Sequence, residues 1–146
     1  MKHKLPFHRG VGLLIANEDQ SRFFVQQKDE TYPYPEWQLA YSFWGGAIEA
    51  NETPQEALFR ELFEELPSYA PTLIKKEPSF AGSFSVFTGE KDFFELNVFL
   101  LSVDNQFFET FSSEEVLEGY GRFVGKEELL SSAWIWNTSF ILEKIT

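Results

Sequence analysis

The feature that most constrains the fold of this chain is the segment from Gly45 to Pro67, GGAIEANETPQEALFRELFEELP. Thr53, Pro54 and Glu56 mark a helix start, with an N-cap threonine, a proline at the first helical position and a glutamate that completes a capping box. On a helical wheel of about 100° per residue, apolar side chains occupy one face and glutamates a nearly opposite one. The apolar set is Leu58, Phe59, Leu62, Phe63 and Leu66, and the acidic set is Glu61, Glu64 and Glu65. The sequence therefore predicts an amphipathic helix that packs on a sheet.

The acidic face of this helix has two interpretations. Like charges three or four residues apart repel by about a few tenths of a kcal/mol, and a lysine at Glu61, Glu64 or Glu65 would relieve that repulsion. A bound cation would also relieve it, and clustered carboxylate oxygens suit Mg²⁺ or Mn²⁺. The alternative is a solvated acidic face. Gly45 and Gly46 favour a binding site, because glycine permits close approach of the backbone to a ligand or a helix.

The rest of the chain alternates predicted strands and helices. Apolar segments separated by short polar turns predict hairpins on both sides of the glutamate-rich helix. Strands are predicted at 10–17, 22–30, 78–87 and 92–104, a turn at 88–91, a short apolar segment at 43–49, a strand with a helical turn at 122–130, and a terminal helix at 132–145. This order predicts one domain, 1–146, of the α/β (α+β) class, with a mixed sheet covered by helices.

Composition restricts the partners of such a domain. The 146 residues include 23 acidic and 12 basic side chains, for a formal charge of −11. That balance disfavours nucleic acid and anionic membranes, which need a basic surface, but it permits a small polyanion bridged by cations. The absence of cysteine excludes disulfides and cysteine-bound zinc. The sequence contains no signal-peptide pattern and no membrane-spanning apolar run, so we expect a cytoplasmic protein without a membrane partner.

The spacing within the glutamate-rich segment resembles the Nudix box. That signature is Gly, five residues, Glu, seven residues, then Arg-Glu-aliphatic-any-Glu-Glu, any residue, Gly and an aliphatic residue. Gly46, Glu52 and the run Arg60–Glu65 match it, followed by Leu66. With this composition as background, a chance match is on the order of 10⁻⁴. The resemblance implies a Nudix fold, an α/β/α sandwich with a mixed β-sheet.

The end of the segment departs from the family pattern. Pro67 stands where the family has glycine, and Ser68 stands where it has an aliphatic residue. Trp44 replaces a proline that often precedes the double glycine. Because proline cannot adopt a positive φ, the helix must end by another route, beyond the last carboxylate. We expect the departure to affect the following loop more than the carboxylates.

The resemblance implies a metal centre on the acidic face. Glu61, Glu64 and Glu65 are then the expected ligands of Mg²⁺ or Mn²⁺, with Glu61 and Glu65 the surest. Either Glu61 or Glu64 is the expected base for the attacking water, since family members differ in that assignment. The backbone of Gly46 is expected to approach the metals.

Further residues complete the implied catalytic site. Arg60 is expected to pair with a glutamate of the motif and to orient it, and Glu52 is its expected partner or an outer-shell group. Many family members add a carboxylate from a distant loop. Glu118 is the expected residue here, because a Glu-Gly pair before a short strand resembles that part of the family. Glu114 and Glu115 are the alternatives, and Glu118 as a solvated loop residue is a further one.

The implied function is divalent-metal-dependent hydrolysis of a nucleoside diphosphate linked to another moiety. A nucleoside triphosphate is slightly favoured, and ADP-ribose or a nucleotide sugar is the alternative. A catalytically silent domain that binds a nucleotide is the alternative from another class. Nucleic acid is not an expected partner, and a homodimer is a tendency of the family.

Aromatic residues in the loop 31–42 are candidates for stacking on a base. These are Tyr32, Tyr34 and Trp37. The alternative is a loop packed by its own aromatic side chains. Trp134 and Trp136 are expected to lie in the core or at a dimer contact.

Overall fold

The fold is seen in a computed structural model that describes residues 8–89 and 92–146. The described residues form a seven-stranded sheet in which β1 and β6 pair in parallel and the other strand pairs are antiparallel. The strands are β1 Arg9–Ala16, β2 Arg22–Gln27, β3 Tyr41–Ser42, β4 Trp44–Ala47, β5 Ser79–Phe87, β6 Phe93–Ser102 and β7 Tyr120–Gly125. The main order is β3-β2-β1-β6-β5, while β4 pairs with β1 and β7 with β2. The sheet is mixed, as the sequence predicts.

Strand β1 is shared by two partners on one of its edges. Its first half pairs with β4, with Gly10 opposite Ala47 and Leu13 opposite Trp44. Its last residues, Ile15 and Ala16, pair with β2 instead. This division leaves the double glycine of β4 in the middle of the sheet, beneath the following helix.

Helices cover both faces of the sheet. The helices are α1 Pro54–Glu65, α2 Ala70–Lys75, α3 Asn105–Phe108, α4 Lys126–Ser131 and α5 Ser139–Ile145, with 3₁₀ turns at Pro35–Trp37, Ser113–Glu115 and Ile135–Asn137. On one face, Leu58 and Leu62 of α1 pack with Phe24 and Trp44. On the other face, α4 and α5 pack against the sheet through residues such as Leu129 and Ile141. The three layers confirm the predicted α/β/α arrangement.

Helix α1 begins and ends as its sequence dictates. The Thr53 hydroxyl accepts a hydrogen bond from the Glu56 amide at 3.1 Å, and the Glu56 carboxylate accepts one from the Thr53 amide at 2.9 Å. This reciprocal capping box satisfies two N–H groups at the start of the helix. At the other end, Leu66 leaves helical geometry at φ −132°, directly before Pro67. The proline therefore ends the helix without the left-handed residue that glycine would supply.

Several predicted elements differ from the structure. Residues 132–145 do not form one helix, because Trp136 and Asn137 have φ values of 52° and 57° and helix α5 begins only at Ser139. The preceding residues are held extended, since the Tyr41 amide bonds to the carbonyl oxygen of Ala133 at 2.9 Å. The short helices α2 and α3 were not predicted.

Two details of the predicted strands and helix also change. Strand β2 ends at Gln27 instead of residue 30. Phe63, predicted on the apolar face of α1, is 51% exposed, because the contact with the sheet is narrower than the apolar arc on the wheel. Of the predicted turn at 88–91, Glu90 and Lys91 lie outside the described residues. Among the described helices, none has both the length and the apolar character needed to cross a membrane.

Candidate active site

Strand β4 forms the floor of the candidate site, because its two glycines let helix α1 lie directly against the backbone. A side chain at Gly46 would place its Cβ 2.5 Å from Oε1 of Glu61. A side chain at Gly45, where φ is +148°, would place its Cβ 2.0 Å from the carbonyl oxygen of Val11. Gly45 therefore requires glycine, whereas the absence of a side chain at Gly46 lets the Glu61 carboxylate lie against the strand.

Glu65 is a buried carboxylate, only 2% exposed. Its Oε1 accepts a hydrogen bond from the Gly45 amide at 2.9 Å. Burial raises the pKa of Glu65 well above its usual value, and the nearby charges of Glu118 and Glu61 raise it further. The Gly45 hydrogen bond and the charge of Lys28 act in the opposite direction. The fold therefore holds an acidic group where its negative charge is costly without a cation.

Glu61 lies one turn earlier on the same face of the helix and is 9% exposed. Burial also raises its pKa, while a hydrogen bond from Arg60 lowers it. The charges of Glu64 and Glu118 raise the pKa again. Because Glu118 influences both buried carboxylates of α1, its side chain lies on their side of the fold even though it is 53 positions or more away in sequence.

Arg60 fastens the loop before α1 to the helix. Its Nε and Nη2 donate to the two carboxylate oxygens of Glu52 at 2.8 and 3.0 Å. Nη2 also donates to the carbonyl oxygen of Ala47 at 2.8 Å, and Nη1 donates to Glu61 at 3.0 Å. The hydrogen bond from Arg60 lowers the pKa of Glu52. Arg60 thus orients Glu61 and joins strand, loop and helix, and Glu52 is its partner.

Glu64 lies at the rim of the site. Its side chain is 57% exposed, and both of its carboxylate oxygens lie 3.4 Å from Nη1 of Arg60. Within residues 8–89 and 92–146, no three His, Cys, Asp or Glu side chains come close enough together to enclose a metal ion. The carboxylates of the acidic face are therefore neighbours that do not converge on one point among the described residues.

The loop that carries Glu118 is attached to the end of α1. The Leu117 amide donates to the carbonyl oxygen of Glu65 at 3.0 Å. The Gln26 side chain in β2 donates from Nε2 to the carbonyl oxygen of Glu118 at 3.0 Å. Gly119 turns the chain at this corner with φ +71°. These contacts fix the backbone of Glu118 between helix α1 and strand β2.

The residues after Pro67 take part in the same attachment. The Ser68 hydroxyl donates to the Glu115 carboxylate at 2.7 Å. Glu114 is exposed on the same 3₁₀ turn, where its amide bonds to the Ser112 hydroxyl at 3.2 Å. Glu118, and not Glu114 or Glu115, is among the main charges that raise the pKa of Glu61 and Glu65. The departure from the family pattern at 67–68 therefore coincides with a contact to the Glu118 loop.

The three aromatic candidates of the loop 31–42 have different surroundings in the structure. The Tyr34 ring contacts the Tyr32 and Trp136 rings at centroid distances of 5.7 and 5.2 Å, and Trp37 contacts Trp136 at 5.8 Å. Tyr32 instead lines a small polar cavity next to Glu118, with the Lys28 ammonium 5.0 Å from its ring centroid. Within the loop, Tyr32 and Tyr34 contact each other, while Tyr34 and Trp37 pack on Trp136 from outside it, and stacking on a base stays a prediction.

A second cavity, of about 180 Å³, lies on the far side of the double glycine from α1. Its lining includes Gly45, Gly46, Phe43, Phe94 and Trp136. An adjoining cavity is lined in part by Tyr34 and again by Trp136. The prediction that Trp134 and Trp136 lie in the core is confirmed for Trp134, which is 1% exposed, while Trp136 packs against the core and also lines these cavities.

Comparison with known proteins identifies the family of the chain. A family model described as NUDIX domain matches residues 6–143. An RNA pyrophosphohydrolase from Halorhodospira halophila is 40% identical over 60 residues, which are 41% of this chain and 29% of that protein. The RNA pyrophosphohydrolase of Bartonella henselae is 36% identical over 77 residues, 49% of this chain and 42% of that protein. The matched segments thus span less than half the length of these curated relatives.

Solved structures extend the likeness over the whole fold. The crystal structure of a MutT protein from Methanosarcina mazei Go1 superposes with a TM-score of 0.67 at 19% identity, covering 99% of this chain and 96% of that one. The mixed sheet between helices is therefore the fold that this chain shares with a protein of the MutT type. The chain belongs to the NUDIX domain family.

Proposed function

We propose that this protein is a divalent-cation-dependent pyrophosphohydrolase of a nucleoside diphosphate linked to another moiety, with a nucleoside triphosphate favoured. The observation that carries the proposal is the pair of buried carboxylates, Glu61 and Glu65, held against the double-glycine strand with Glu118 near both. Two buried carboxylates of like charge are destabilising unless a counter-ion lies close to them. Such cations bind protein carboxylates and the phosphate groups of a substrate at the same time.

The residues present fit Mg²⁺ or Mn²⁺. All the candidate donors are carboxylate oxygens, the preferred ligands of these hard cations. Because Gly46 has no Cβ, the Glu61 carboxylate can lie directly against strand β4. Glu61 and Glu65 would hold the cation, with Glu64 and Glu118 as further ligands. When bound, the cation neutralises phosphate charge and lowers the pKa of a bound water.

The side chains of the chain then have separate tasks. Arg60 orients Glu61 and, through Glu52, holds the loop between β4 and α1. Glu61 or Glu64 takes the proton from the attacking water, and Glu64 is the more accessible of the two because its side chain is 57% exposed. The cavity beside Gly46 and Trp136 would receive the nucleoside, with aromatic stacking that does not select a base.

An RNA 5′ end is a second candidate substrate, because the relatives named above are RNA pyrophosphohydrolases. A formal charge of −11 works against contacts along an RNA chain, whereas it matters less for a free nucleotide. A silent nucleotide-binding domain is weakened as an alternative, since pure binding has no need of two buried carboxylates.

The test is a substrate panel with Mg²⁺, read by chromatography of the products. The panel comprises nucleoside triphosphates, ADP-ribose, nucleotide sugars and a short RNA with a 5′-triphosphate. We expect turnover that EDTA abolishes, highest for a nucleoside triphosphate. Preferred cleavage of the RNA would show that an RNA 5′ end, and not a free nucleotide, is the substrate. Binding of nucleotides without cleavage of any of them would favour the silent domain.

Replacing Gly46 with alanine should lower turnover while the fold stays intact. The added Cβ would lie 2.5 Å from the Glu61 carboxylate, so Glu61 has to move. We expect turnover to fall by roughly tenfold or more, on the scale of a displaced metal ligand. The matched control is Gly125→Ala, because the nearest contact at Gly125 is 4.0 Å away and its φ is −76°. Equal activity of the two variants would contradict the role of this close approach.

Glutamine variants of the acidic loop should identify the distant carboxylate. We expect Glu118→Gln to weaken Mn²⁺ binding and to lower turnover by roughly tenfold, since Glu118 acts electrostatically on both buried carboxylates. Glu114→Gln is the matched control from the same loop and should change neither quantity by more than about twofold. Titration calorimetry and steady-state kinetics measure these effects. A larger loss in the Glu114 variant would reverse the assignment.

A further inference from the structure

Gln26 is a buried polar side chain that the proposed mechanism has not used. It lies in β2, is fully buried, and donates from Nε2 to the carbonyl oxygen of Glu118 at 3.0 Å. Its Oε1 has no hydrogen-bond partner among the residues that the structure describes. With the amide flipped, Oε1 of Gln26 would face the carbonyl oxygen of Glu118, and two acceptors cannot bond to each other. The unpaired atom is therefore the acceptor Oε1. A buried acceptor without a donor is unfavourable and calls for an explanation.

The position of Gln26 places this acceptor beside the acidic face of α1. Side chains alternate along a strand, so Gln26 shares the sheet face of Phe24, which packs with α1. Oε1 and Nε2 of Gln26 belong to one amide group, and Nε2 contacts the backbone of Glu118. Glu118 in turn acts on the charge of Glu65. Gln26 Oε1 therefore lies next to the Glu118 corner, on the sheet face that α1 covers.

The corner itself is packed tightly on Gln26. At Gly119, a Cβ would lie 2.5 Å from the carbonyl oxygen of Gln27 and 3.3 Å from Cγ of Gln26. The loop thus rests on the Gln26 side chain with little freedom to shift. An apolar residue of the same length would fill this space equally well, so packing alone does not account for an amide.

We propose that Gln26 is a positioning residue of the cation site. Its Nε2 sets the position of the Glu118 backbone, and its Oε1 accepts a hydrogen bond from a water molecule bound among Glu118 and Glu65. With a cation bound the carboxylates are ionised and only accept hydrogen bonds, so the donor to Gln26 Oε1 is water. The inference rests on the proposed function, since that water would belong to the surroundings of the bound cation.

Gln26→Met tests the inference, because methionine keeps the length of the side chain and removes both polar atoms. We expect Mn²⁺ affinity, measured by titration calorimetry, to fall about tenfold. The melting temperature in EDTA should change little, because removal of the unpaired buried acceptor offsets the lost hydrogen bond to the Glu118 carbonyl oxygen. The kcat should fall more than KM changes, since the nucleoside cavity lies on the other side of the double glycine.

Gln27→Met is the matched control on the neighbouring residue. Gln27 has both amide atoms paired, accepting from Arg122 Nε at 2.9 Å and donating to the carbonyl oxygen of Leu39 at 3.0 Å. It lies on the opposite face of β2. We expect this variant to lose stability and to bind Mn²⁺ within about twofold of the parent protein.

Each outcome decides the matter. If the parent binds Mn²⁺ and Gln26→Met binds it equally, the role of Gln26 is wrong and the proposed function stands. If the parent binds no Mn²⁺, both proposals are wrong. A Gln26→Met protein without a cooperative melting transition would assign Gln26 to the core and overturn the inference. A crystal structure soaked in Mn²⁺ should place a water within hydrogen-bond distance of Oε1.

Discussion

Replacing Glu65 with glutamine is expected to reduce Mg²⁺-dependent turnover by roughly 10²- to 10³-fold while the fold stays intact. The amide retains an oxygen for the Gly45 N–H, whose bond to Glu65 is 2.9 Å long, so the contact between α1 and β4 survives. What is lost is the charge of the most deeply buried carboxylate of the site, 2% exposed. Kinetics with the best substrate of the panel and titration with Mn²⁺ measure the effect.

The control separates loss of charge from general damage. Glu143→Gln removes an exposed carboxylate from helix α5, and its activity should match that of the parent. In EDTA at neutral pH, Glu65→Gln should melt at the same temperature as the parent or higher, because a neutral amide costs less to bury than a carboxylate. Unchanged turnover in Glu65→Gln would remove Glu65 from the site, whatever its burial.

Local patterns predicted the element on which the site depends. The capping box at Thr53 and the break at Pro67 fixed the limits of α1, because both act through the few residues next to them. The 3.6-residue period placed Glu61 and Glu65 on one side and Leu58 and Leu62 on the other. The alternation and length of the apolar segments were sufficient to predict a mixed sheet.

Tertiary contacts determined what the sequence did not predict. The left-handed turn at Trp136 follows from the pairing of residue 133 with Tyr41, which is 92 positions away in the chain. The wheel treats Glu61, Glu64 and Glu65 alike, whereas the sheet buries the first and last and leaves Glu64 at the rim. No pattern of neighbours in sequence reveals which of these carboxylates a distant strand will cover.

Gln26 illustrates the same limit. In the run RFFVQQ, two glutamines end an apolar strand, and both look like polar residues at the edge of the sheet. The structure buries Gln26 completely, because the corner at Gly119 closes over it. Only the return of the chain 92 positions later makes that residue part of the candidate site.

Replacing Arg60 with lysine is expected to affect both stability and turnover, because no ammonium group can reproduce the contacts of the guanidinium. Arg60 donates to both oxygens of Glu52, to the carbonyl of Ala47 and to Glu61, all within 3.0 Å. Lysine keeps the charge and loses the planar, forked geometry. We expect the free energy of unfolding to fall by about 1–3 kcal/mol and turnover by roughly 10- to 100-fold.

Arg9→Lys is the matched control for this change, because Arg9 is exposed at the start of β1 and its side chain makes no ion pair or hydrogen bond with the residues that the structure describes. Its effect on the free energy of unfolding should remain within about 0.5 kcal/mol, as is usual at exposed sites. A double-mutant cycle of Arg60→Lys with Glu52→Gln should be strongly non-additive, since both changes break the same paired contact. If Arg60→Lys lowered stability and left Mn²⁺ affinity and turnover unchanged, Arg60 would hold the loop alone. A joint loss of stability, metal affinity and turnover is expected because the same guanidinium that anchors Glu52 also sets the position of Glu61 against the double glycine.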